Sequence, residues 1–269
     1  MRVLDVYSKK DLDILTCDGL IVSDVMNKFF SKFPKIYREN YDRNLLNLEI
    51  WRIDEHFDGL TAGEYFHQYN ILLIQNLNSL IHELMHVASR DSVTGRSAFC
   101  KNKDEYLFEY AMLEGMTEYL SSMAKESTPS DYFFETFVIS MLSNIDGLFE
   151  GYFRCSYDKL VSLFPNKRDI ISLMYSLNFY YNKNVEVING GVLGDYDRTR
   201  ISRAVSDVID TVIDIQVSLK MGKRANRIYA EKFMDLLGCE VMEDYVGCYK
   251  DDYIDYANEQ LNKRILRRL

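Results

Sequence analysis

The chain has 269 residues, 47% of them hydrophobic and 27% charged, with 32 basic against 41 acidic side chains and a formal net charge of −9. This composition is typical of a folded globular protein and excludes an intrinsically disordered one. The acidic excess argues against a nucleic-acid partner, because binding to a phosphate backbone requires a basic surface.

The N-terminal third is predicted to mix helix and strand. Residues 23–40 have apolar positions at helical spacing and begin with Ser23 as a cap. The segments NLLNLEIWRID (44–54) and GEYFHQYNILLIQN (63–76) are rich in Ile, Tyr, Phe and Trp, which predicts strands on either side of a turn at FDGLTAGE (57–64).

The rest of the chain is predicted to be helical, since the whole sequence has only three prolines and thirteen glycines to interrupt helices. The most loop-like stretch is NKNVEVINGGVLGDYD (182–197), and the basic stretch NKRILRRL (262–269) is interpreted as a helix end whose cations complement the macrodipole. Helices are expected at 77–89, 103–126, 131–146, 155–164, 167–182, 197–221, 223–237 and 251–267.

These elements predict an α+β fold that is predominantly α, with a small N-terminal mixed sheet packed on one helix and an all-helical subdomain after it. We divide the chain into 1–126, with the sheet and the helices that bear the candidate site, and 127–269, a helical subdomain closing the cleft. The two parts are expected to form one compact unit, because no repeat, low-complexity tract or linker separates them.

Cysteine usage and the apolar segments indicate the compartment. The five cysteines are scattered and never spaced CxxC, which disfavours a disulfide framework or a cysteine zinc site: Cys17, Cys100, Cys155, Cys239 and Cys248. No signal peptide is recognisable, and the most apolar uncharged stretch, 71–81, is too short to span a bilayer. We expect a cytoplasmic protein with no membrane partner, although export without a signal peptide would leave no mark in the sequence.

The segment LIHELMHVAS (80–89) places ionisable side chains in an apolar run. Glu83 is the only acidic residue between 71 and 89, and apolar side chains surround it on most sides of the expected helix, so this helix should be buried. An unpaired carboxylate there would cost several kcal/mol or stay protonated. Some positive group must therefore compensate it.

The histidines of this segment can supply a metal site. His82 and His86 stand one turn apart, so their rings leave the same helix face about 6 Å apart at Cβ and can bind one zinc ion. Glu83 projects about 100° around the helix, beside the metal. The string H-E-x-x-H is typical of a zinc site in which Glu is the general base on a bound water. The alternative interpretation is a pair of hydrogen-bonded core histidines beside a buried Glu, and we favour the zinc site.

A catalytic zinc needs a third protein ligand. No histidine follows His86, so this ligand must be a carboxylate, a cysteine, His56 or His67. The best candidates lie in EYAMLEGMTEYLSS (109–122), where Glu114 and Glu118 stand one turn apart. They share a helical stripe with Leu107, Ala111 and Ser121. The alternative is that both carboxylates belong to a solvated face.

Gly115 is the second clue in that segment. A glycine in a helix interior costs about 1 kcal/mol relative to alanine, so it usually marks the close approach of another backbone. We expect that neighbour to be the helix that carries His82 and His86.

The segment HELMH, followed 28 positions after His86 by EGMTEYL, resembles the gluzincin zinc metallopeptidases, the broad group that includes thermolysin-like enzymes. The resemblance implies one zinc ion per chain bound by His82, His86 and Glu114, with Glu83 as general base. It also implies that Glu118 hydrogen-bonds a ligand histidine and fixes its tautomer. No glycine-and-histidine extension follows His86, so the chain does not resemble a metzincin.

The resemblance further implies a strand before the helix whose free edge pairs with the peptide substrate, and YFHQYNILLIQ (65–75) is placed for this. His67 in that segment is interpreted as an ordinary strand side chain. A donor to the developing oxyanion is also needed, and since 87–269 contains no histidine we turn to tyrosine. Tyr196, near Arg198 and Arg200 in an expected loop, is the first choice; Tyr180 and Tyr181 follow.

The function expected is zinc-dependent hydrolysis of peptide bonds in a peptide or protein substrate. The alternative is a non-enzymatic helical interaction protein with a structural or decayed zinc site. Amphipathic runs such as ISRAVSDVIDTVIDIQVSL (201–219) would then serve as a partner surface, although their usual role is core packing.

Overall fold

The computed structural model describes residues 2–54, 62–99, 110–219, 255–260 and 263. Several sequence predictions lie outside these residues: His56, the turn residues 57–61, Cys100, helix residues 103–109 with Leu107, the helix at 223–237, Cys239, Cys248, and most of the helix at 251–267 with its basic end. Among the described helices, none combines the length and the apolar character needed to cross a membrane.

The strands form a small mixed sheet and a separate hairpin. They are β1 (Val3–Tyr7), β2 (Thr16–Cys17), β3 (Leu20–Ile21), β4 (Glu49–Ile53), β5 (Gly63–Phe66) and β6 (Ile71–Ile74). The sheet has the order β1-β4-β6-β5, in which β4 and β6 are parallel and the outer pairs antiparallel. The hairpin of β2 and β3 turns at Asp18 and Gly19, both with positive φ.

The helices occupy most of the described chain. They are α1 (Val22–Phe30), α2 (Lys35–Leu45), α3 (Leu80–Ser89), α4 (Tyr110–Lys125), α5 (Phe133–Leu142), α6 (Leu148–Phe153), α7 (Tyr157–Ser162), α8 (Lys167–Ile188) and α9 (Asp195–Ser218). Short 3-10 turns cover Lys9–Asp13 and Leu77–Ser79. The α+β, predominantly α prediction is confirmed, with the sheet at the N-terminal end and helices after it.

The chain divides into two compact units. The first comprises the described residues of Met1–Asp104, Leu120–Ser127 and Phe149–Tyr157. Its core contains residues of β4, β5 and β6, all of α3 except His82, and an aromatic group in which Phe30 stacks on Tyr41 and Tyr37 stacks on Phe153. These packed rings stabilise the unit through buried apolar area and favourable ring geometry.

The second unit comprises the described residues of Glu105–Tyr119, Thr128–Leu148 and Asp158–Leu269. Its main feature is the packing of α8 on α9, and α5 also packs on α9. A side-chain amide pair between Asn144 and Gln216 satisfies polar groups inside it. The division of the chain at 126 and 127 stays a prediction.

Two local predictions were wrong. Residues 23–40 form two helices because Pro34, which cannot continue a helix, lies between α1 and α2; Ser23 lies inside α1, whose capping position is Ile21. The expected loop 182–197 is short, since α8 continues to Ile188. Lys183 stabilises this last part of α8 through ion pairs with Glu186 and Asp197.

Candidate metal centre

Helix α3 carries His82, Glu83 and His86 of the candidate site, and it is buried as predicted. Its sequence is LIHELMHVAS, and every residue except His82 is buried. The 3-10 turn before it is capped by Asn76, whose side chain accepts a hydrogen bond from the backbone of Asn78 at 2.9 Å. His82 is the partly exposed position, so the helix turns one imidazole towards accessible space.

The C-terminal end of α3 is held by side chains of α2. The last carbonyls of a helix have no partner within it and need one elsewhere. Asn44 donates from Nδ2 to the carbonyls of Val87 and Arg90, each at 2.8 Å, and Asn40 donates to that of Ala88 at 3.0 Å. These bonds restrain the rotation of α3 about its axis, and so fix where its side chains point.

The three predicted ligands lie together. The ring centroids of His82 and His86 are 5.2 Å apart. One ligand atom from each of His82, His86 and Glu114 lies within 4.8 Å of the other two. Ligands about 2.1 Å from a tetrahedral zinc ion stand about 3.4 Å apart, so a small contraction of this group would match zinc coordination.

The chemistry of this group suits a transition metal. Two imidazoles and one carboxylate are a ligand set typical of catalytic zinc, with a coordination position left for water. His86 is 8% exposed and Glu114 is 4% exposed. A bound cation would offset the cost of keeping the carboxylate charged at such burial.

Glu83 lies beside this group and not within it. It is 5% exposed, and it packs against Gly63 at the start of strand β5. A Cβ atom added to Gly63 would stand 2.9 Å from both Cγ and Oε1 of Glu83, which is closer than side chains pack. Glycine at position 63 therefore makes room for the glutamate, a requirement that no sequence pattern had indicated.

Glu118 is buried and hydrogen-bonded. It is 1% exposed, and its Oε1 accepts hydrogen bonds from the backbone N–H and the hydroxyl of Ser130, at 2.7 and 3.2 Å. These bonds compensate its burial and tie α4 to the segment before α5. The expectation that it orients a ligand histidine stays a prediction.

Gly115 marks a close backbone approach, as predicted, but the predicted neighbour was wrong. A Cβ atom there would stand 2.8 to 2.9 Å from the backbone carbonyl group and Cβ of Glu135, on α5. The nearest backbone is therefore that of α5 and not that of α3. The sequence shows that a neighbour must exist, whereas its identity depends on tertiary packing.

Two tyrosines lie close enough to Glu114 for its charge to act on them. Burial, and then the negative charge of Glu114, raise the pKa of Tyr132 and of Tyr181 well above the usual value. Tyr181 was a predicted oxyanion donor. Tyr132 was missed, because nothing in SDYFF (130–134) distinguishes it from the neighbouring aromatic residues.

The other tyrosine candidates lie in different surroundings. Tyr196 is in the first turn of α9 and not in a loop; its side chain is 74% exposed, with Arg200 5.6 Å from its ring. Tyr180 is fully buried, 4.6 Å from the ring of Phe134. A hydroxyl enclosed in this way cannot face a substrate.

His67 is not among the three clustered ligands. It lies just after β5, where its Nδ1 is hydrogen-bonded to the carbonyl of Gly95. Its own carbonyl accepts a hydrogen bond from Arg90 at 2.6 Å. Burial, and to a smaller extent the positive charge of Arg90, lowers the pKa of His67 against the opposing effect of its hydrogen bond with Gly95, which favours a neutral ring. His67 is a structural side chain in the turn after β5, so its predicted place within a strand was wrong.

Comparison with known proteins found no matching family model, curated protein or solved structure.

Proposed function

We propose that this protein is a zinc-dependent peptidase of the gluzincin type, in which Glu83 is the general base. The observation that carries the proposal is the grouping of one atom each from His82, His86 and Glu114 within 4.8 Å. Two of these ligands come from one turn of α3 and the third from α4, the arrangement that the resemblance implies. Glu83 follows His82 in the chain and is not among the three clustered ligands, which is the position that a general base requires.

Each residue then has a distinct role. His82, His86 and Glu114 would hold the metal, which when bound supplies Lewis acidity and lowers the pKa of water. Glu83 takes a proton from the attacking water and passes it to the leaving amine. Tyr181 donates a hydrogen bond to the oxygen on which negative charge develops. Its raised pKa keeps the phenol protonated, as a donor requires.

The sheet offers a place for the substrate. Strand β5 ends the order β1-β4-β6-β5, so among the described strands one of its edges has no partner. An extended peptide can add to such an edge through main-chain hydrogen bonds. Because Gly63 of β5 touches Glu83, a peptide bound there would pass close to the proposed base.

The test combines metal analysis with a peptide-library digest. Wild type is expected to contain about one zinc per chain and to cleave peptides. Glu83→Gln should keep the metal and lose about 10²- to 10⁴-fold in turnover, the usual contribution of a general base. Glu114→Gln should lose the metal as well.

The matched control is Glu39→Gln, which alters a glutamate on α2 that forms an ion pair with Lys35 at 3.0 Å; activity should not change. Peptide cleavage that survives in Glu83→Gln would remove Glu83 from the role of base. Bound iron in place of zinc would point to a different reaction, since two histidines and a carboxylate also hold ferrous iron. A folded protein that takes up no metal would favour the non-enzymatic alternative.

A further inference from the structure

Three tyrosines form a cluster beside the proposed metal centre. The ring of Tyr181 lies 6.0 Å from that of Tyr132, nearly parallel at 27°, and 5.4 Å from that of Tyr110. Tyr110 is 36% exposed, and the other two are half-buried. This tyrosine cluster (Tyr110, Tyr132 and Tyr181) therefore presents ring surface that a ligand can reach.

Carboxylates surround the tyrosine cluster. After burial, the charges that raise the pKa of Tyr181 are those of Glu114, Glu135 and Asp131. Glu135 packs its backbone on Gly115, next to Glu114 in the chain, so α5 brings a second buried carboxylate to the region of the ligand. Asp131 is exposed. Because a metal ion would offset the charge of Glu114, Glu135 and Asp131 are the carboxylates that supply negative charge to the rings in the metal-bound protein.

The backbone of Tyr132 is held in an unusual conformation. Its φ of 51° and ψ of 43° are left-handed, a region that costs a non-glycine residue about 1–3 kcal/mol and persists where the surroundings impose it. The Asp131 carboxylate accepts a hydrogen bond from the Tyr132 N–H at 2.9 Å. This geometry places the Tyr132 ring against Tyr181 at the start of α5, and such strain is concentrated at functional sites.

We infer that the tyrosine cluster, with Asp131 and Glu135, is a subsite for a cationic side chain of the substrate, lysine or arginine. Aromatic faces attract cations through the ring quadrupole, and neighbouring carboxylates add charge attraction. A neutral side chain would gain binding free energy only from its contact with the rings. The inference rests on the proposed peptidase function, because it assigns the residue class that this site accepts near the cleaved bond.

The first test is cleavage of paired peptides that differ only in carrying arginine, lysine, norleucine or glutamine near the scissile bond. Wild type is expected to prefer the basic peptides about tenfold in kcat/KM. Asp131→Asn keeps an oxygen acceptor for the Tyr132 N–H but removes the charge, and Tyr110→Leu removes the outermost ring. In each variant, the kcat/KM for the basic peptides divided by that for the norleucine peptide should fall several-fold.

Matched controls are Asp195→Asn, an exposed aspartate in the first turn of α9, and Tyr175→Leu, a half-exposed tyrosine on α8; both should keep the wild-type ratio. Equal cleavage of basic and norleucine peptides by wild type, or an unchanged ratio in both variants, would overturn the inference while leaving the peptidase function in place.

The second test needs no catalysis. Binding of N-acetyl-arginine amide is followed by the change in tyrosine fluorescence and compared with N-acetyl-norleucine amide. The subsite is supported if wild type binds the arginine compound more tightly than the norleucine compound and if Asp131→Asn binds the arginine compound more weakly than wild type does. Equal binding of the two compounds refutes it. Absence of any peptide cleavage together with selective arginine binding would reject the peptidase proposal and retain the cationic subsite.

Discussion

Gly63→Ala is the substitution that most directly tests the geometry of Glu83. Position 63 opens strand β5, and an added Cβ would stand 2.9 Å from Glu83 Cγ and Oε1 and 3.0 Å from the hydroxyl oxygen of Ser79. Ordinary contacts between such atoms are about 3.5–4.0 Å. The glutamate must therefore retreat by about 0.5–1 Å, because it and the serine are the groups in the way.

The expected effect is large on catalysis and small on stability. A misplacement of about 1 Å in a reacting group costs about 10²-fold, so kcat/KM should fall about 10- to 100-fold. Alanine is better than glycine in a strand by about 0.5–1 kcal/mol, which offsets part of the overpacking cost of about 1–3 kcal/mol. Zinc content should not change, since Glu83 is not among the three clustered ligands.

The assay measures kcat/KM on a cleaved peptide, zinc per chain and the melting temperature. The control is Gly194→Ala, where a Cβ meets nothing within 4 Å, so all three quantities should stay at the wild-type values. If Gly63→Ala retains full activity with its zinc and fold intact, the Glu83 carboxylate at this position is not the base. If it loses zinc, Glu83 and the metal ligands are coupled more tightly than the site geometry implies.

Three further substitutions test the packing around the site. Gly115→Ala should lower the free energy of unfolding in urea by about 1–2 kcal/mol. The added Cβ would meet the rigid backbone of Glu135, so overpacking should cost close to the upper end of about 1–3 kcal/mol, while alanine gains about 1 kcal/mol in helix propensity. A stabilised variant would contradict this. Asn44→Ala should cost about 1–2 kcal/mol and weaken zinc binding, since it removes two hydrogen bonds at the end of α3, while the Val87 carbonyl keeps the Arg90 N–H and the Arg90 carbonyl keeps Asn40 as donors. Unaltered zinc affinity would show that α3 needs no such restraint. The pKa of His67 lies below its usual 6.5 in the folded protein, so folding favours the neutral ring. The free energy of unfolding of the metal-free protein should therefore decrease as the pH falls from 6.5 towards the lowered value. His67→Gln should lose less stability than wild type over that interval, and equal dependence of the two unfolding free energies on pH would refute the assignment.

The sequence predicts the parts of this protein that depend on local spacing. The burial of α3 follows from its apolar run, and the pairing of its two histidines on one face follows from the four-residue interval. The β-branched and aromatic content of 44–54 and 63–76 predicts strands, and 44–54 contains β4. The single strand expected at 65–75 was wrong, because this segment turns at 67–70 and spans the antiparallel strands β5 and β6, of which β6 lies inside the sheet. Spacing alone left Glu114 and Glu118 both open as the third ligand, and the resemblance to gluzincins selected Glu114.

What the sequence does not predict depends on which elements meet. Gly115 signalled a close neighbour, but only the fold shows that this is α5. Tyr132 had no signal, since its left-handed backbone is imposed by contacts that form after the helices pack. The segment 182–197, expected to be a loop, is largely helical, since α8 continues to Ile188 and α9 begins at Asp195; Lys183 forms ion pairs with Glu186 and Asp197 there, and the second of these links α8 to α9, which local spacing does not show.

The charge balance of the site connects these observations. Four glutamates, at positions 83, 114, 118 and 135, are each at most 5% exposed in a protein with net charge −9. Buried carboxylates of like charge destabilise a fold unless hydrogen bonds or cations compensate them. Ser130 donates two hydrogen bonds to Glu118, and a divalent ion on His82, His86 and Glu114 would add two positive charges where they reduce this repulsion most. Metal binding and folding are therefore expected to be coupled, because a ligand that binds only the folded state stabilises it in proportion to RT ln(1 + [L]/Kd). Asp131 and Glu135 are not among the clustered ligands, so their charge still favours a positively charged substrate side chain at the neighbouring tyrosine cluster after the metal has bound.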